Sequence, residues 1–98
     1  MIVYISGPMT GVPDYMERFH AAADLLIAKG HTVVNPANME QVIDGEISYD
    51  RILAMDIALL EHVDAICLLP GWQRSKGAKA ERVRARELRL VEMEAMDV

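Results

Sequence analysis

Along the chain, short apolar runs alternate with amphipathic stretches of helical period. Residues 2–6, IVYIS, form a β-branched-rich run leading straight into a Gly/Pro loop, GPMTGVP, and predict a strand with its exit turn. A helix is expected next, opened by Asp14 with Glu17 three residues on, the pattern of a capping box. Tyr15, Phe19, Ala22, Ala23, Leu26 and Ile27 share one face of it, and Gly30 closes it as a C′ glycine. HTVVNP (31–36) predicts a second strand, stopped by Pro36. Residues 37–46 have weak periodicity and are assigned a short helix and a loop through Asp44-Gly45. Ser48 then starts a helix of about four turns reaching His62. DAICLLP (64–70) is a continuous apolar run of the kind buried on both faces of a parallel sheet. The last helix runs from about Gly77 to Leu88, and LVEM (90–93) is a candidate edge strand.

This alternation predicts a single α/β domain over residues 1–98. The expected fold is a small doubly wound, Rossmann- or flavodoxin-like parallel sheet of about four strands flanked by helices. Such sheets bind ligands beyond the carboxyl ends of their strands, near the point where strand order reverses. The loops after Ser6, Val34 and Leu69 are therefore the places to look for a site.

Composition narrows the class. At 98 residues the chain has room for one core and not for two, and 52% apolar residues suffice to fill it. No apolar stretch approaches the roughly 20 residues that span a bilayer. No charged region precedes the first apolar run as in a signal peptide. The expectation is a cytoplasmic protein without a membrane partner. The single cysteine, Cys67, lies in the run AICLLP, which suits a reducing compartment and inert packing. His20, His31 and His62 are scattered, so no metal site is expected.

The net charge of −5 argues against a polymeric nucleic acid partner. Seven of the ten basic residues nevertheless lie between Arg74 and Arg89. That run is either a solvated helix face or a local anion site or subunit contact.

Two carboxylates stand out against the apolar pattern. On a wheel of about 100° per residue, Tyr49, Ile52, Leu53, Leu59 and Leu60 define an apolar arc. Asp56 falls in its middle, whereas Asp50 and Glu61 lie on the far side. A carboxylate facing a core is costly unless paired or hydrogen-bonded. Asp56 thus either caps a neighbouring loop or helix through backbone N–H groups or serves as an acid/base or ligand-orienting group at a pocket edge.

In the last helix Lys79, Arg82, Arg86 and Arg89 gather on an arc that must face solvent or a partner. Glu81 lies on the opposite half, between Ala85 and Leu88, with Arg84, for which a subunit contact is the one available account. Glu81 is either a helix-start glutamate favoured by the macrodipole or a nucleophile at a strand–loop–helix junction.

Two loops have the make-up of ligand cradles. Ser75 offers a cap or a donor, and Gly77 and Ala78 let a ligand approach the free N–H groups of the last helix. Ser6-Gly7-Pro8-Met9-Thr10-Gly11 is the second, with a plain strand-to-helix loop as its alternative, since a Gly-rich loop alone is a weak signal. Trp72, the one tryptophan, is suited to stack on a base or to fill a subunit contact.

The blocks YISGPMTG (4–11), MDIALLEHVD (55–64) and LLPGWQRSKGAKAE (68–81) together resemble the nucleoside 2-deoxyribosyltransferase-like superfamily. Within it they are most similar to small phage and bacterial proteins carrying the first and last blocks. The resemblance extends from Tyr4 to about Leu90 and rests on the order and spacing of short motifs. It implies that Glu81 is the nucleophile toward the anomeric carbon of a sugar and that Tyr4 positions it. It also implies that Asp56 meets the base and transfers a proton, and that Gly7 to Gly11 surround the sugar and its 5′ end.

Six residues before the nucleophile, transferases acting on free nucleosides tend to carry an aspartate, and this chain has Ser75. That is similar to the 2′-deoxynucleoside 5′-monophosphate N-hydrolases, where a serine there contacts the phosphate. Those enzymes also carry an arginine in the first loop, where Thr10 stands here; Arg74 and Lys76 are the available replacements. The superfamily completes its sites between neighbouring subunits, which implies a homo-oligomer.

The expected activity is cleavage of the N-glycosidic bond, or base exchange, on 2′-deoxynucleosides or their 5′-monophosphates through a covalent glutamyl intermediate. The mechanism that the resemblance implies needs no cofactor. Tyr4, Asp56 and Glu81 would be catalytic. Ser6, Gly7, Pro8, Met9, Thr10, Gly11, Trp72, Ser75 and Gly77 would bind a small nucleoside or nucleotide. The alternatives are a non-catalytic nucleotide-binding or sequestering module of phage type, acting in a host cytoplasm, and an interaction protein that docks a partner on its basic helix.

Overall fold

In the computed structural model, which describes residues 1–38 and 47–95, strands and helices alternate as β1 (Ile2–Ser6), α1 (Tyr15–Ala28), β2 (Thr32–Val34), α2 (Tyr49–Leu59), β3 (Ala65–Leu68), α3 (Lys76–Glu87) and β4 (Val91–Glu94). A 3-10 turn, Leu60–His62, continues α2, and another, Trp72–Arg74, precedes α3. Residues 36–38 are helical, and the predicted loop through Asp44-Gly45 lies outside the described residues.

The strands form one parallel sheet in the order β2-β1-β3-β4. Strand order therefore reverses between β1 and β3, the two central strands. Tyr4 pairs with Val34 on one side and Ile66 on the other, and Ser6 pairs with Leu68.

The period of two along a strand divides the interior into two cores. Val3, Ile5, Ala65 and Cys67 face α1, where Phe19, Ala22, Ala23 and Leu26 cover them. Tyr4, Ile66 and Leu68 face the other way, toward Leu60, Val63 and Ala85. The doubly wound α/β architecture anticipated from the alternation is the one observed. Among the described residues no helix is long and apolar enough to cross a membrane.

Local departures have local reasons. Asp14 precedes α1 but makes no capping hydrogen bond: its φ of −101° and ψ of 24° are not the extended geometry a cap requires. Its carboxylate instead accepts from Arg18 Nε at 3.1 Å. Ile27, expected on the inner face, is 58% exposed, while Gly30 does take the left-handed turn at φ +90°. No residue of α2 is fully buried, although its apolar arc predicts a core face. Tyr49 and Leu53 of that arc line a cavity, where a wall around open space cannot bury its side chains as packing does, while Leu59 packs against the second core and Leu60, just beyond α2, is buried in it.

Two residues of the basic face of α3 are paired. Arg82 and Arg86 both donate to Glu92 on β4, at 3.1 and 3.2 Å from Nε. Arg84 reaches Glu61 at 3.1 Å and Glu87 at 3.8 Å, which accounts for its place on the inner half. These hydrogen bonds, the Arg86 one foremost, hold the Glu92 carboxyl below its ordinary range.

Candidate active site

A cavity of about 380 Å³ opens at the carboxyl ends of β1 and β3, where strand order reverses. Ligand pockets begin at about 300 Å³. Its floor is Glu81, and the loop from Gly7 to Thr10 forms one wall. Tyr49, Leu53 and Asp56 on α2 form another, with Arg74 to Ala78 at the start of α3 completing the rim.

Gly7 keeps the floor compact. A Cβ there would lie 2.7 Å from Leu69 Cβ, so only glycine lets the loops after β1 and β3 pack this closely. The Leu69 amide donates to the Ser6 carbonyl at 2.8 Å and ties the two loops together.

Glu81 is brought to the floor by helix periodicity. Ala78, Glu81 and Ala85 are the buried residues of α3, spaced to share one face. The alanines let the helix approach the sheet and leave Glu81, 6% exposed, as the one long side chain between them. Tyr4 and Ser6, two residues apart on β1, point to the same face and meet it from below. The Tyr4 hydroxyl donates to Oε2, and the Ser6 hydroxyl donates to Oε1 at 2.8 Å. Both oxygens are thus held, and the carboxylate plane is fixed.

Burial, the largest influence, pushes the Glu81 pKa up to about 7. The hydrogen bonds from Tyr4 and Ser6 oppose it, and the charge of Asp56 adds to it. Burial, followed by the charges of Glu81 and Asp56, drives the Tyr4 phenol far above its ordinary range, so it remains a donor. Asp56 is half-buried on the cavity wall, close enough for its charge to act on both groups.

Ser75 caps α3, its Oγ accepting from the Ala78 amide at 3.1 Å, and lines the cavity with Gly77. Arg74 folds back so that a Cβ on Gly71 would meet its guanidinium at 3.4 Å. It separates this cavity from a neighbouring one of about 370 Å³, which shares Pro8 and Thr10 and also includes Gly11 and Arg18.

The structure thus gathers Glu81, Asp56, Gly7, Pro8, Met9, Thr10, Ser75 and Gly77 around one space, with Tyr4 and Ser6 beneath it. Gly11 borders only the second cavity. Trp72 lies outside both, under the Arg82 guanidinium at 4.5 Å from the ring centroid. Ser6, expected among the substrate contacts, donates to Glu81 beneath the cavity; its position two residues from Tyr4 was the available signal for that bond. Phe19, Pro36, Tyr49 and Leu53 were not anticipated as lining residues, because hydrophobic pattern does not tell a cavity wall from a core face.

A family model described as a domain of unknown function, DUF4406, matches residues 1–93. No curated protein matches the chain. Among solved structures it is similar to a 2-desoxiribosyltransferase from Leishmania mexicana, at 20% identity and a TM-score of 0.69. The similarity covers 95% of this chain and 62% of that one, so the chain spans less than two thirds of that protein's length. At this identity the likeness establishes a shared fold.

Proposed function

The chain belongs to the DUF4406 family, and we propose that it breaks the N-glycosidic bond of 2′-deoxynucleosides or their 5′-monophosphates, passing the deoxyribosyl group to water or to a second base. The observation that carries this reading is Glu81: a buried carboxylate fixed by two hydroxyl donors on the floor of a cavity walled by a second carboxylate, Asp56. Two carboxylates on separate elements around one ligand space are the pair that glycosidic cleavage uses, and the fixed orientation of Glu81 favours a double displacement with Glu81 as nucleophile. The fold shared with a deoxyribosyltransferase supports the choice of sugar.

In the first half-reaction a Glu81 oxygen attacks C1′. The C1′–N bond breaks, its electron pair goes to the base, and Asp56 protonates the departing nitrogen. The product is a deoxyribosyl ester of Glu81. In the second half-reaction water or an incoming base attacks C1′, Asp56 accepts its proton, and Glu81 leaves as a carboxylate. Tyr4 and Ser6 keep Glu81 from rotating, which preserves the attack geometry. Ser75, Gly77 and the loop Gly7–Thr10 orient sugar and phosphate, with Arg74 and Lys76 supplying positive charge on that rim.

The test is incubation of the protein with deoxynucleosides and their 5′-monophosphates, with and without an acceptor base, following free and exchanged base by chromatography. Product that disappears in Glu81→Ala is the expected result. Nucleotide binding without turnover across the panel would replace the enzyme with a nucleotide-binding module.

A further inference from the structure

Tyr49 has no part in the chemistry just described, yet its placement is specific. It opens α2, is 50% exposed, and stands in the cavity wall. A Cβ on Gly77 would lie 2.8 Å from Tyr49 Oη, 3.9 Å from its Cζ and 3.8 Å from Leu53 Cδ1. The phenol hydroxyl therefore rests against the backbone of the first turn of α3, in space that any larger residue at 77 would take. Among the described residues it has no hydrogen-bond partner. Burial, followed by the charges of Glu81, Asp50 and Asp56, raises its pKa, so the hydroxyl stays a donor at neutral pH.

Two polar side chains of α2, Tyr49 and Asp56, line the same cavity at positions seven residues apart. Seven residues are two turns, about 10 Å along the helix axis. With Asp56 at the base, Tyr49 belongs to the opposite end of the substrate. Arg74, Ser75 and Lys76 line the same cavity, and under the glycosyl reading their positive charge suits the 5′ end of the substrate.

We propose that Tyr49 is a substrate-binding residue that donates its hydroxyl to an oxygen at the 5′ end of the nucleotide, and that Gly77 is the position that admits it. The assignment rests on the glycosyl chemistry proposed above. It makes the α2–α3 contact a specificity element: the hydroxyl recognises the 5′ end, and the missing side chain at 77 sets where the hydroxyl sits.

Three variants test it: Tyr49→Phe, Gly77→Ala and the two combined, assayed with the best 5′-monophosphate substrate of the wild type. A hydrogen bond to a charged group is worth roughly 1.5–3 kcal/mol, or about tenfold and more in affinity. Tyr49→Phe is expected to raise KM about tenfold with kcat within about twofold. Gly77→Ala should produce the same split, because its methyl group displaces the hydroxyl. The double variant should be no worse than either single one, since phenylalanine vacates the space the methyl needs.

An unchanged KM in Tyr49→Phe overturns the proposal, as does full additivity of the two substitutions. If Gly77→Ala does not fold, Tyr49→Phe decides alone. A wild type that processes no member of the panel removes the glycosyl reading and this one with it. An active wild type indifferent to Tyr49→Phe removes this one only.

Discussion

Glu81 concentrates the cost and the use of this site in one side chain. Its pKa of about 7 in the folded protein, against 4.5 in the unfolded chain, means that the folded state binds its proton more tightly. Glu81 therefore contributes stability fully below pH 4.5 and loses that contribution as pH rises to about 7. Glu81→Gln is expected to gain stability over the wild type across that window and to keep the gain above it, as urea midpoints at pH 5 and pH 8 would register. The proposed activity runs the other way. The proposed nucleophile must be ionised, so Glu81 should set the rising limb of kcat/KM against pH, near about 7, with the proposed acid Asp56 limiting the profile on its alkaline side. Removing the stronger of the two opposing hydrogen bonds, in Tyr4→Phe, should move that rise to higher pH, and Ser6→Ala should move it in the same direction by less. An unmoved profile in Tyr4→Phe would mean that another group governs it. Glu81 and Asp56 were legible in the sequence because each breaks an apolar pattern, and pattern-breaking has to be compensated. The Ser6 contact was less legible: a serine at a strand end is equally at home facing a ligand.

At the level of elements, each helix is held by a different means, and this decides where the sequence could be read. α1 is a packed amphipathic helix, and its Phe19, Ala22, Ala23 and Leu26 face follows from spacing alone. Its start does not, because a capping side chain works only from extended backbone, which residue letters do not specify. α2 differs along its length: its first turns, at Tyr49 and Leu53, face a cavity, and only its end, at Leu59, meets the core. α3 ends at Glu87 with Leu88 as its C-cap, and Arg89 then adopts φ +59°, the left-handed position glycine favours at a helix end. Arg89→Gly is therefore expected to stabilise the protein by roughly 0.5–1 kcal/mol, read as a shift in the denaturant midpoint. No change would indicate an offsetting gain of freedom in the unfolded chain. Ser75→Ala should cost about 1 kcal/mol through the lost cap, besides any effect on substrate.

For the molecule as a whole, the strand order places every proposed catalytic group at one end of the two central strands. That follows from the βα alternation, and so it was legible in outline from the sequence. The surface was not: charge counting alone leaves the basic helix free, whereas Arg82, Arg84 and Arg86 are engaged by Glu92, Glu61 and Glu87. Exposed apolar side chains among the described residues are spread over several elements, Leu25 and Ile27 on α1, Tyr49 and Met55 on α2, Val83 on α3 and Val91 on β4 among them. We propose that the chain self-associates, as the resemblance to the deoxyribosyltransferase superfamily implies. Sedimentation at on the order of tens of micromolar should then show a species heavier than 10.9 kDa, with thermal stability rising with concentration. A lone 10.9 kDa species with concentration-independent melting would sink the idea.

β1 is bonded on both sides, and its Val3, Tyr4 and Ile5 are fully buried. The hydroxyls that hold Glu81 therefore hang from the part of the chain that opens least often. In deuterium exchange the amides of Tyr4 to Ser6 should be among the last to label, well after those of the edge strand β4. A protein with frayed edges would then still keep its proposed nucleophile aimed, so loss of the proposed activity on warming should coincide with global unfolding rather than precede it.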